Sequence, residues 1–194
     1  HVNPFNEKKG FAEEFAAILT QFPDMKVIAP HFIMSSINDA RMREFLDTFP
    51  NLYTDVSFGD FFVEAGLKRI TRDPGKFREI FETYADRFMY ASDLVLIKGA
   101  RQNKEWVVNQ GRGYLDMLTK DTYRAPAITS DELRGVDLPD HILERILFKN
   151  YEDFVASRPR NTRITRKLDW TKITGAAGPV ERQPGQSFPP PLKK

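Results

Sequence analysis

The stretch MKVIAPHF, residues 25–32, is an apolar run that ends on an imidazole, and His31 is one of only three histidines in the chain. Two further runs end on polar groups in the same way. NLYTDVSF carries Asp55 and Ser57 at its end, and RFMYASD finishes on Asp93. His1 stands just before the first helical segment, where a preceding strand would finish in an alternating pattern. Parallel α/β sheets gather their chemistry at the carboxyl ends of their strands. That rule puts His1, His31 and Asp93 on one rim. Two histidines and an aspartate suit a divalent metal, zinc first and manganese or another ion as alternatives. They also suit a metal-bound water with a general base beside it. Each residue has a structural reading too: a hydrogen-bonded strand-end histidine, an aspartate that caps a helix or a turn, an arbitrary first residue. His141 follows LPD at a helix start and reads as a surface residue.

The elements that must hold these groups alternate. FAEEFAAILTQF places Phe11, Phe15, Ile18, Leu19 and Phe22 on one helical stripe. MKVIAP reads as a strand covered on both faces. SSINDARMREFLDTF reads as a helix capped by Ser36 or Asn38, with Ala40, Phe45, Leu46 and Phe49 inward. A second strand, two helical segments with Pro74 opening the latter, and a third strand follow. Beyond Asp93 the expectation is one helix around NKEWVVNQGRGYLDMLTK, weakened at Gly111 and Gly113, and then two closing helices. Strands alternating with helices give an α/β fold with a parallel sheet. Three strands alone leave exposed edges, so the pattern looks like part of a larger closed or doubly wound sheet.

Composition excludes whole classes. There is no cysteine, which rules out disulfides and thiolate chemistry. No apolar run reaches the length of a membrane span. The net charge of +2 is uneven: from residue 158 onward nine Lys and Arg face two Asp and Glu, so the tail carries +7 and the body −5. A mildly acidic body with a basic tail is not the footprint of a nucleic-acid-binding domain. A soluble protein is expected, with the cytoplasm the favoured compartment.

The ordered set of motifs resembles the second half of the amidohydrolase-related family, the metal-dependent (β/α)8-barrel hydrolases and decarboxylases. The matching pieces are residues 22–24 (FPD), His31, residues 50–53 (PNLY), residues 86–93 (DRFMYASD) and residues 146–150 (ILFKN), over roughly residues 1–156. The resemblance implies an α/β fold corresponding to about strands five to eight of a TIM-type barrel. It implies that His1 is a metal ligand at the end of strand five. His31 then polarises the substrate or shuttles a proton, and Asp93 touches the metal and acts on its bound water. Asp55 and Ser57 fall on the seventh strand as substrate-pocket candidates. The family's first-strand His-x-His or Glu-x-His pair is absent, as are strands one to four, and HFIM replaces the usual His-x-Gly. The segment after Asp93 is longer than a minimal crossover.

The resulting expectation is a metal-dependent hydrolase acting on a small molecule. Its barrel is completed by an N-terminal half on another chain or segment, and it assembles as a homo-oligomer. A non-oxidative decarboxylase or hydratase on the same ligands is the enzymatic alternative, and a non-catalytic assembly subunit is the alternative from another class. The chain opens on His1 rather than Met, which reads as processing, a cut, or part of something longer. Residues 157–194 read as a Pro/Gly-rich basic tail. It is either flexible or strapped on a partner subunit through Trp170, Ile173, Val180 and Phe188.

Overall fold

The computed structural model describes residues 4–34, 38–59, 62–94, 103–156, 166–169 and 171–172. Its centre is a parallel three-stranded sheet in the order β1 (Val27–Ala29), β2 (Leu52–Asp55), β3 (Phe88–Met89). The register sets Val27 beside Leu52 and Thr54 beside Phe88. All four residues of β2 are buried, as the middle strand of a covered parallel sheet should be. The fold is α/β as the alternation requires. Its sheet is open, with no strand paired to the outer edge of β1 among the described residues.

Helix α1 (Pro4–Gln21) precedes β1. Its buried face is Ala12, Ala16 and Leu19 with Phe15 half-buried, while Phe11, Ile18 and Phe22 are exposed. The expected stripe is therefore corrected by a rotation of the helix. The segment is apolar on two faces, and the one carrying the small Ala12 and Ala16 is the one that is buried. After the short segment α2 (Pro30–Met34), helix α3 (Asp39–Thr48) is capped by Asn38, whose Oδ1 accepts from the Arg41 N–H at 3.1 Å. Met42, Phe45, Leu46 and Phe49 are buried, whereas Ala40, expected inward, is exposed.

Helices α4 (Val63–Arg72) and α5 (Pro74–Thr83) follow β2, with Asp73 capping α5 and Pro74 in its first turn. Arg87 ties β3 to this layer. Its guanidinium donates to the carbonyls of Leu46, Phe49 and Leu52, where α3 ends and β2 begins.

Helix α6 (Lys104–Thr119), capped by Asn103, runs unbroken through Gly111 and Gly113. A Cβ on Gly113 would stand 3.1 Å from Ile128 Cδ1, so the glycine admits close packing. An antiparallel hairpin absent from the sequence expectation follows, β4 (Thr122–Arg124) with β5 (Glu132–Arg134). Closure comes from α7 (Asp140–Glu144), a π-helical turn (Arg145–Lys149) and α8 (Asn150–Ala156). This run covers the outer edge of β3: Tyr90 N–H donates to the Ile146 carbonyl at 2.7 Å, and Asn150 Nδ2 donates to Ala85 and Phe88, both at 2.7 Å.

Residues 166–169 and 171–172 lie on α3 of the same chain. Arg166 reaches Glu44 and Asp47, each at 2.9 Å, and the Asp169 N–H donates to Glu44 at 2.5 Å. Trp170, Ile173, Val180 and Phe188 lie outside the described residues, as does His1. No described helix is long and apolar enough to cross a membrane.

Candidate active site

The chain does not leave β1 in an ordinary loop. His31, Phe32 and Ile33 adopt φ values of 59°, 53° and 59°, one left-handed turn built from three residues that carry side chains. Such a conformation costs roughly 1–2 kcal/mol per residue, so the surroundings must impose it. Two polar groups of β2 do so. Thr54 Oγ1 donates to the Ala29 carbonyl at 2.7 Å and accepts the Ile33 N–H at 3.0 Å, which clamps both ends of the turn. Asp55 Oδ1 accepts the His31 N–H at 2.9 Å. Phe32 is driven into the core among Phe58, Phe77, Phe81 and Phe88. Burial of that ring offsets part of the backbone strain, and the reversed turn leaves the imidazole of His31 facing away from the core, over the strand ends.

Two polar side chains flank that imidazole, and a third holds one of them. Ser57 Oγ lies 2.7 Å from His31 Nδ1. Asp55 Oδ1 accepts both the Ser57 hydroxyl at 2.8 Å and the Ser57 N–H at 3.0 Å. On the other side of the ring, Asp93 Oδ2 lies 3.4 Å from His31 Nε2, with the two side chains 52% and 24% exposed respectively. Asp93 itself sits at a positive φ of 48° just past β3. The result is a continuous polar chain from buried Asp55, through Ser57 and His31, to the half-exposed carboxylate of Asp93.

Sequence expectation made Asp55 and Ser57 substrate-pocket candidates. They are buried, Ser57 completely, and stand behind the imidazole rather than on an open surface. Their hydrogen bonds orient His31.

Residues that sequence reasoning passed over complete the site. Gly59 has φ +70°, and a Cβ there would meet Asp93 Oδ2 at 3.3 Å and His31 Cε1 at 3.5 Å. Its missing side chain keeps open the space beside the histidine and aspartate pair. Tyr114 of α6 is fully buried, and its hydroxyl accepts the Phe58 N–H at 2.9 Å, which pins the loop between Ser57 and Gly59. Burial pushes the Tyr114 phenol well above its ordinary range, so it stays protonated. A stack of Phe32 on Phe58 (5.0 Å) and Phe58 on Tyr114 (6.1 Å) lies under the site. The one sequence signal for this layer was the glycine directly after a strand end.

A family model described as amidohydrolase matches residues 12–153. The chain belongs to the amidohydrolase family. No curated protein and no solved structure matches it. The matched range contains His31, Asp55, Ser57 and Asp93, and leaves His1 and the basic tail outside.

Amidohydrolases typically use a metal. Among the described residues of this amidohydrolase, no three His, Asp or Glu side chains converge to hold one. Asp55 Oδ1 is saturated by its three donors, and His141 is exposed on α7. Asp93 has the donor chemistry for one ligand position, a half-exposed carboxylate at a strand end beside an imidazole. One carboxylate with a neighbouring ring nitrogen is at most half of a four-donor zinc site.

Proposed function

We propose that this amidohydrolase is a metal-dependent hydrolase acting on a small molecule, with His31 and Asp93 as its working pair. The observation that supports this reading is the approach of His31 Nε2 to Asp93 Oδ2, 3.4 Å apart, from the ends of two strands separated by β2. Asp93 supplies one ligand to a divalent metal, zinc first, and His1 a second; the remaining donors come from outside the described residues. An ion held there would supply a coordinated water with its pKa lowered to about 7. Asp93 would be the base for that water, and His31 orients the substrate or shuttles a proton. Gly59 leaves room for the substrate beside the pair.

Two features support a further barrel half as partner. The outer edge of β1 has no strand beside it among the described residues. Next to it, α1 exposes Phe11, Ile18 and Phe22 on one stripe, more apolar surface on one helix than a free face usually carries. A cavity of about 240 Å³ between α1 and α3, lined mainly by Phe11, Phe15, Ile33 and Phe45, continues this face. A second stripe, Phe148, Tyr151 and Val155, supports homo-oligomer contacts through the C-terminal helical run.

Metal analysis of the assembled protein combined with a hydrolysis screen tests the reading. About one equivalent of tightly held metal is expected, with turnover abolished by a chelator. His31→Ala and Asp93→Ala should each reduce turnover at least about 100-fold, the scale of a lost acid or base. Turnover indifferent to both substitutions would leave only a structural role for the pair. Carbon dioxide release without amide, ester or lactone cleavage would replace hydrolysis by decarboxylation.

A further inference from the structure

We propose that Ser57, held by Asp55, is a positioning residue that fixes His31 in the tautomer with its proton on Nδ1 and a bare Nε2 turned toward Asp93. A count of protons carries this. Asp55 Oδ1 receives three donors: the His31 N–H at 2.9 Å, the Ser57 N–H at 3.0 Å and the Ser57 hydroxyl at 2.8 Å. A hydroxyl has one proton to give, and that of Ser57 is spent on the carboxylate. The 2.7 Å contact between Ser57 Oγ and His31 Nδ1 must then use a proton from the ring. In a neutral imidazole one nitrogen donates and the other accepts, so Nε2 keeps its lone pair. Ser57 is 0% exposed, and water cannot offer its hydroxyl another partner.

The same carboxylate oxygen also holds the backbone of His31 in its left-handed turn. One buried group therefore sets the main-chain conformation, the ring orientation and the tautomer together. The consequence for chemistry rests on the hydrolase reading: the nitrogen presented to the open side of the site, beside Asp93, is Nε2, while Nδ1 is engaged by Ser57.

With only three histidines in the chain, ¹⁵N-resolved NMR of the imidazoles in the full chain is direct, and a His141→Gln variant aids assignment. Under alkaline conditions that leave the rings neutral, His31 should show a protonated Nδ1 and a bare Nε2. Ser57→Ala should shift it to a mixture of tautomers, and Ser57→Thr, which keeps the hydroxyl, should restore the single form. In a turnover assay Ser57→Ala should lower kcat roughly 10–100-fold, as lost outer-shell partners do, with KM nearly unchanged. A protonated Nε2 in the unsubstituted chain overturns the inference, as does an unchanged tautomer in a folded Ser57→Ala variant. If Ser57→Ala does not fold, the spectra of the unsubstituted chain and of Ser57→Thr decide. Absence of turnover alongside the expected spectra would sink the hydrolase reading and leave the tautomer assignment standing.

Discussion

Thr54 carries more of the site than its type suggests. Its hydroxyl donates to Ala29 and accepts from Ile33, so one side chain closes a turn that three non-glycine residues would not adopt alone. Thr54→Val keeps the shape and removes both bonds, leaving a buried N–H and carbonyl without that partner. The expected loss is about 1–3 kcal/mol in denaturant titration, together with reduced turnover because His31 leaves its place. A loss of turnover without loss of stability would mean that Thr54 does not clamp the turn. Gly59 acts by what it lacks. Gly59→Ala puts a methyl 3.3 Å from Asp93 Oδ2 at φ +70°. It should cost roughly 1–2 kcal/mol of backbone strain and weaken substrate or metal binding more than it lowers the melting temperature. Wild-type affinity for both in that variant would show the space to be unused.

At the scale of elements, α4 packs tightly against the site loop. A Cβ on Gly66 would fall 2.2 Å from Phe58 Cγ, so the ring of Phe58 occupies the place of the absent side chain. Gly66→Ala should push Phe58 off the Phe32 and Tyr114 stack at a cost of about 1–3 kcal/mol, the scale of an overpacked core. The chain after α8 gives a second test. Glu44, 1% exposed on α3, is met by Arg166, by the Asp169 N–H and by Lys172 at 3.5 Å. Glu44→Ala in the full chain should be more destabilising than Glu44→Ala in a chain ending at Ala156, with a coupling of about 0.5–3 kcal/mol. Equal effects in both backgrounds would show that the segment contributes nothing to the body.

Across the whole molecule, buried phenols set an alkaline limit. Burial, then the hydrogen bond to Asp47, pushes Tyr84 up to about 12 from 10.0. Burial drives Tyr114 and Tyr123 further upward. A phenol with a raised folded-state pKa stabilises the fold fully below its unfolded value, near 10, and loses that contribution as pH climbs toward the folded value. The urea midpoint should therefore stay level up to about pH 9 and fall between about pH 10 and 12, less steeply in Tyr84→Phe, which cannot ionise. A midpoint independent of pH across that window would mean the three hydroxyls are less buried than the structure has them.

Much of the architecture was legible in the chain because it follows from local rules. Apolar runs, period-3.6 stripes, Asn38 as one of two cap candidates and Pro74 in a first turn point to the alternation of strands and helices, and hence place His31, Asp55, Ser57 and Asp93 at strand ends. The β4 and β5 hairpin was not legible, because strands of three residues are too short to show a period. Nor was the inward face of α1, whose apolar residues run round two sides and leave the choice to whatever packs against it. The roles within the site needed the fold as well. No local preference makes His31, Phe32 and Ile33 left-handed; hydrogen bonds from residues more than twenty positions away do so. Which carboxylate reaches the imidazole directly and which acts on it through Ser57 is equally invisible along the chain. It depends on the twist and register of β1, β2 and β3. The sequence by itself determined the residue types, the order of elements and the strand ends at which chemistry gathers, since those depend on neighbours in the chain. Tertiary structure alone decided that Asp55 and Ser57 serve His31 from within while Asp93 faces solvent, because burial and hydrogen-bond partners exist only once distant segments meet.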